Sequence, residues 1–143
     1  MNEDNKELLL KDLCSRLPYG VKVKYYDGED ERDSFDVVEG VEDLYCTNPK
    51  FYINQYALTI DKFKPYLFPL SSMTDKDLIE FLQIRGMNLN SDELKTFRNG
   101  ETAIVFTLPS YSRHVDWLNA HHFDYRNLID KNLAIDCTNL NIY

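Results

Sequence analysis

An α+β fold is what this sequence predicts: an N-terminal helix, a small antiparallel sheet or partial barrel, and a helical C-terminal half with one added strand. Three observations carry that reading. Apolar residues recur at helical spacing over 4–17. Between 18 and about 70 they alternate in short runs broken by turn formers. From about 71 onward, capping residues precede apolar helical stripes. The length of 143 residues fits a single domain, with a β-rich part over 18–70 and a helical part over 71–143. A 13% share of aromatic residues excludes a disordered chain.

The first helix is expected over 4–17, with Leu10, Leu13, Cys14 and Leu17 on one face and Asp4 and Glu7 as a capping box. Pro18 and Gly20 stop it. Val21, Val23 and Tyr25 then alternate with Lys22, Lys24 and Tyr26, which predicts a strand with one wet face. Phe35 and Val37 open a second strand, in which Gly40 marks a bulge. Further short strands are expected at 44–46, 51–53 and 60–63. The run 65–70, bracketed by Pro65 and Pro69, is barred from a helix interior and reads as an extended crossover lying on the core.

Thr74 with Asp77 caps a helix that ends at Gly86, and Ser91 caps a shorter one through Phe97. A β-run spans 102–108, closed by Pro109. Ser112 starts a helix through His122, which turns Val115, Trp117 and Leu118 toward the first helix or the sheet. Asp124 caps a short helix over 125–131, Asn132 stops it, and 133–143 runs out as a strand-like tail.

The net charge of −8 is local. Residues 27–43 hold nine acids and the single base Arg32, whereas the remainder holds 15 of each sign. A nucleic-acid binder needs a basic face, and none is visible, so no direct contact with nucleic acid is expected. The start, Met1-Asn2-Glu3-Asp4-Asn5-Lys6, lacks the basic end and apolar run of a secretory signal. No apolar stretch approaches the ~18 residues of a membrane span. A cytoplasmic protein with no membrane partner is the expectation. Cys14, Cys46 and Cys137 are far apart and lack zinc-ligand spacing, so they read as reduced, buried side chains.

Three blocks resemble a known family when taken together: 8–14 with 17–21, 64–74 (Lys-Pro-Tyr-Leu-Phe-Pro-Leu-Ser-Ser-Met-Thr), and 115–126 (Val-Asp-Trp-Leu-Asn-Ala-His-His-Phe-Asp-Tyr-Arg) continuing to Ile135. They are similar to a family of small uncharacterised phage- and prophage-associated proteins of gut bacteria. The resemblance covers about half the chain and leaves out 27–43 and 86–112. It implies a phage-linked origin and brings no catalytic residue to carry over.

Two surfaces stand out as candidates for function. The acidic segment, with Glu29, Asp30, Glu31, Asp33 and Asp36 beside Tyr26, suits docking to a basic partner, either by placing carboxylates where a phosphate backbone would lie or as a charged rim. Its plainer reading is a solvated loop. Tyr25, Tyr26, Tyr45, Tyr52 and Tyr56 cannot all face inward on a small sheet, so some of them enlarge a protein-binding surface. The second candidate is the turn carrying His121, His122, Tyr125 and Arg126, which could contact a small molecule or nucleotide. Adjacent helical histidines diverge, and Asp124 is accounted for as a cap. No nucleophile elbow, phosphate loop or zinc-protease motif occurs. The sequence therefore points away from an enzyme, to a phage-associated interaction module whose partner is a host or phage protein. It names no catalytic residue, no metal ligand and no cofactor. The alternative is a small-molecule or nucleotide module centred on His121–Arg126.

Overall fold

The computed structural model describes residues 1–25, 36–42, 48–84, 86, 90–98 and 108–143, with the backbone alone at 96–98 and 108–110. Helix α1, Glu3–Arg16, is capped by Asn2, whose side chain accepts from the Asn5 N–H at 2.8 Å. The box expected from Asp4 and Glu7 is not used, because Glu7 reaches forward to Lys11 at 2.7 Å. Glu3 and Asp4 sit in the positive first turn and Arg16 in the negative last one. The buried face is turned from the expected stripe: Leu9, Asp12, Leu13 and Arg16 are inside, while Leu10 and Cys14 are half-buried. A 3₁₀ turn at Leu17–Tyr19 and Gly20, at φ +66, end the helix.

The sheet is mixed, and the expectation of a purely antiparallel one is corrected here. Strands β1 (Lys22–Tyr25), β2 (Asp36–Glu42), β3 (Lys50–Ile53), β4 (Tyr56–Thr59) and β5 (Phe63–Pro69) pair antiparallel in the order β4-β3-β2-β1-β5. Two further strands, β6 (Phe123–Asp124) and β7 (Ile135–Asp136), join β5 in parallel, at Phe68 and Pro69 and at Tyr66 and Leu67. The C-terminal half thus supplies two short strands where one was expected. The sheet stays open and does not close as a barrel.

Alternation holds along β1 and β3, where Val23, Tyr25, Phe51 and Ile53 are buried and Tyr52 faces out. The β2–β3 register shifts between Val38 and Gly40, as the glycine predicted. Asn54, at φ +55, turns β3 into β4, and the expected strand at 60–63 is instead a 3₁₀ turn, Ile60–Lys62. A hydrogen bond from Thr59 to the Asp61 carboxylate favours that turn over extended chain. The proline-bracketed run is a full interior strand, paired with β1 on one edge and with β6 and β7 on the other, rather than a crossover. Pro65, which has no N–H to give, precedes the point where β7 joins at Tyr66. The strand expected at 44–46, and 102–107 of the β-run at 102–108, lie outside the described residues.

Helix α2, Asp75–Gln83, has the predicted capping box: Asp77 N–H donates to Thr74 Oγ1 at 3.2 Å and Thr74 N–H to the Asp77 carboxylate at 2.8 Å. Helix α3, Ser91–Arg98, is capped one residue earlier than expected, by Asn90 boxed with Glu93. Helix α4, Leu108–Ala120, begins a turn before Ser112, so Leu108 is helical and Pro109 sits in the first turn. The helix expected at 125–131 does not form. Asp124 accepts from the Leu128 and Ile129 N–H groups at 2.9 and 2.8 Å, and Asn127 takes φ +57, which breaks helical continuity. Asn132, also at φ +57, is the predicted left-handed stop.

One core lies between α1 and a face of the sheet, built on Leu9, Leu13, Val23, Phe51, Ile53, Phe63 and Leu67. A second joins α2, α3 and α4 to β6 through Phe81, Leu82, Leu94, Trp117, Leu118 and Phe123. Trp117 is buried, but its neighbours are Phe81, at 5.4 Å between ring centroids, and Phe123, stacked at 5.6 Å. Its place is therefore against α2 and against the sheet at β6, the second of the two surfaces expected. Trp117→Ala is expected to cost ~3–5 kcal/mol in urea unfolding. Native fluorescence should be blue-shifted relative to free indole; emission at the position of indole in water would contradict this packing.

Candidate functional site

The turn at 121–126 is the hub of a buried polar network, and the two histidines leave it in different directions. The His121 ring lies on Trp117 at 4.0 Å, and its Nδ1 is 2.9 Å from the Trp117 carbonyl. Its Nε2 is 4.0 Å from Glu80 on α2. His122 adopts φ +57, is buried, and stacks on Tyr143 with centroids 3.9 Å apart. Its Nδ1 has no hydrogen-bond partner among the described residues. Burial, then the charges of Arg16, His121 and Lys22, pull its pKa down to about 4. His114 packs edge-on against Phe81 at 4.7 Å. No group of three His, Cys, Asp or Glu side chains converges as a metal site among the described residues.

Tyr125 and Arg126 turn toward α1. The Tyr125 hydroxyl donates to Asn119 Oδ1 and accepts from Arg126, both at 3.1 Å. Its ring lies against two guanidinium groups, Arg16 at 5.5 Å and Arg126 at 5.0 Å. Arg16 is completely buried and grips Asp12 through two bonds, of 2.7 and 3.1 Å. It also donates to the carbonyls of Phe123 at 2.8 Å and Leu118 at 3.5 Å. Arg126 Nε stands 3.4 Å from the same Asp12 carboxylate, but the geometry is not that of a hydrogen bond. Sequence reading missed Asp12 and Arg16. The available signal was a charged i,i+4 pair on the helix face that carries Leu9 and Leu13.

An open groove of about 620 Å3 lies elsewhere, between the start of α1, the entry to β3 and the end of β4. Leu10, Ile60 and Pro49 contribute apolar surface, while Glu3, Asp4, Glu7 and Asp61 bring four carboxylates against Lys6. Lys6 is held by Glu3 at 3.0 Å. The Glu7 and Asp61 carboxyls are held below their usual range, by hydrogen bonds from Lys11 and Thr59 respectively. Both are therefore ionised at neutral pH. None of His121, His122, Tyr125 and Arg126 lines this groove.

Of the acidic docking residues expected from sequence, Asp36 is half-buried at the start of β2, opposite Val23. Glu29, Asp30, Glu31, Asp33 and Tyr26 lie outside the described residues. Farther along β2, Glu39 and Glu42 are exposed, and Glu42 accepts a hydrogen bond from Tyr52. Of the tyrosines, Tyr25 is buried against the half-buried Tyr56, Tyr52 is exposed, and Tyr45 lies outside the described residues. No protein-family model, curated protein or solved structure matches the chain.

Because Arg16 is fully buried, the effect of breaking its pair is large and asymmetric. Asp12→Ala leaves an uncompensated guanidinium inside and is expected to cost ~3–5 kcal/mol, whereas replacing both partners, Asp12→Leu with Arg16→Met, should recover much of that loss. Chemical denaturation of the three proteins decides it. Equal losses in the single and double variants would show that the pair itself is not what holds the turn.

Proposed function

We propose that the chain is a non-enzymatic interaction module that docks a basic segment of a partner protein. The observation that supports this reading most directly is the groove, with four carboxylates around apolar surface from Leu10, Ile60 and Pro49. Apolar surface offers area to bury, and the ring of like charge favours cationic side chains and repels phosphate. The exposed Glu39 and Glu42, and the acids of 27–43 in the sequence, add to the same sign of field. The turn at 121–126 is less suited to a ligand, since Tyr125, Asp124 and Arg16 spend their polar atoms on the protein itself. A cytoplasmic, phage-linked setting with a host or phage protein as partner belongs to the same proposal, and its phage link rests on the three-block resemblance.

The test is a labelled peptide that alternates lysine and leucine, titrated against the protein at low and high salt. Exposed charges are screened over ~8–10 Å at physiological ionic strength, so affinity should fall steeply as salt rises. Neutralising Glu3, Asp4, Glu7 and Asp61 to their amides should slow association more than it speeds dissociation. A separate set at Glu29, Asp30, Glu31 and Asp33 reports whether the acidic segment shares in docking. Unchanged rates and an unchanged salt slope in both sets would overturn the proposal.

A further inference from the structure

Residues 137–143 cross the face of β5 turned away from α1, and they are held there by few contacts. Cys137 N–H donates to the Leu67 carbonyl at 3.0 Å, and the next two backbone bonds, Leu140 to Cys137 and Ile142 to Leu140, stay within the segment. Cys137 and Ile142 pack on Tyr66. Lys22 Nζ donates to the Ile142 carbonyl at 2.5 Å, and Tyr143 adds the remaining side-chain contacts. Its hydroxyl accepts from the Lys22 N–H at 2.9 Å and donates to the Tyr66 carbonyl at 3.1 Å. Its ring meets Phe68 at 5.8 Å and stacks on His122 at 3.9 Å, with 12° between the planes.

The His122 imidazole is an unusual neighbour for such a contact. It is 7% exposed, and its Nδ1 has no partner among the described residues. The charged and titratable groups that act on it are Arg16 from α1, His121 from the end of α4 and Lys22 from β1, and all of them oppose a further positive charge. Lys22 also lies over the Tyr143 ring, at 5.4 Å, so the ring that the imidazole stacks on already attracts one cation. The nearby carboxylates are engaged. Asp124 holds the Leu128 and Ile129 N–H groups, and Asp12 holds Arg16. The Tyr143 phenol and the Cys137 thiol are both pushed up by burial and stay neutral.

We infer that His122 is an acid-sensitive latch for the segment 137–143: protonation of the ring breaks its stack on Tyr143 and releases the segment from β1 and β5. The backbone of His122 is fixed on both sides, its N–H to Asn119 and its carbonyl to the Phe68 N–H at 2.9 Å. The buried Nδ1 therefore gains water most readily when Tyr143 leaves. Release uncovers Tyr66 and Phe68 on β5. The sign follows from a native pKa of about 4 against 6.5 for a free histidine. The docked state is fully supported above about 6.5 and loses that support as pH falls toward 4.

An NMR titration of the whole protein from pH 7 to 4 tests the latch. The Tyr143 ring and Ile142 methyl signals should move to solvent-exposed positions in step with the His122 ring, at a midpoint between about 4 and 6.5. Leu9 and Leu13 should keep their native shifts throughout. In His122→Asn, a residue that tolerates the left-handed φ, the movement of Tyr143 should disappear. Three results would overturn the inference: His122 titrating while Tyr143 stays docked, the segment and the core being lost in one step, or His122→Asn keeping the wild-type profile. Should that variant fail to fold, the wild-type titration decides alone, because coincidence of His122 with Tyr143 and separation from Leu9 are both required.

Discussion

The buried pair of Asp12 and Arg16 is the constraint on which the arrangement of this protein turns. A guanidinium with no solvent contact must find partners for its donors, and Arg16 finds them at both ends of the chain. Asp12 lies one turn back on the same helix, while the carbonyls of Leu118 and Phe123 are more than a hundred residues away. Two apolar cores could each pack well and still slide past one another, since burial is not directional. A charged donor that must reach two particular carbonyls is directional. It fixes where α4 ends against α1, and so where β6 can meet β5.

The same bond explains why the chain does not continue as a helix after α4. The carbonyls of Leu118 and Phe123 are taken by Arg16, and Asp124 collects backbone N–H groups from the turn that follows. His122, Asn127 and Asn132 adopt left-handed φ within eleven residues. The resulting turn is well bonded yet aperiodic. It returns the chain to β5 twice, as β6 and as β7, which is how a strand holding two prolines, Pro65 and Pro69, becomes an interior strand of the sheet.

Local signals were legible in the sequence, and relations across distance were not. The Thr74–Asp77 box, the Gly40 bulge, the left-handed Asn132 and the alternation of β1 each depend on residues a few positions apart, and each appears as the spacing implies. The 125–131 region fails for the same reason in reverse. Its apolar spacing is helical, but Asp124 and Asn127 satisfy the backbone another way, and no periodicity count contains that competition. The parallel pairing of β6 and β7 is invisible locally because two residues form no pattern. Asp12 and Arg16 read as an ordinary solvent-facing helical pair until the packing of Leu9 and Leu13 shows which face is inside.

That division bears on function. A catalytic or ligating group needs a proton or lone pair turned toward a space that substrate can enter. At 121–126 Asp124 and Tyr125 turn their polar atoms onto the backbone and Asn119, and the Phe123 carbonyl takes Arg16, so much of the cluster that looks reactive in sequence is spent on holding α1 to α4. The carboxylates of Glu3, Asp4, Glu7 and Asp61 show the opposite pattern. They stand at the rim of an open groove, whose lining also holds Lys6 and the Met1 amino group. Each of these carboxylates has a local role, in the first turn of α1, in the pairs with Lys6 and Lys11 or in the bond from Thr59, while their mutual repulsion works against the compact state. Concentrated like charge beside apolar area, remote from the network that sets the architecture, is the feature on which the docking proposal rests.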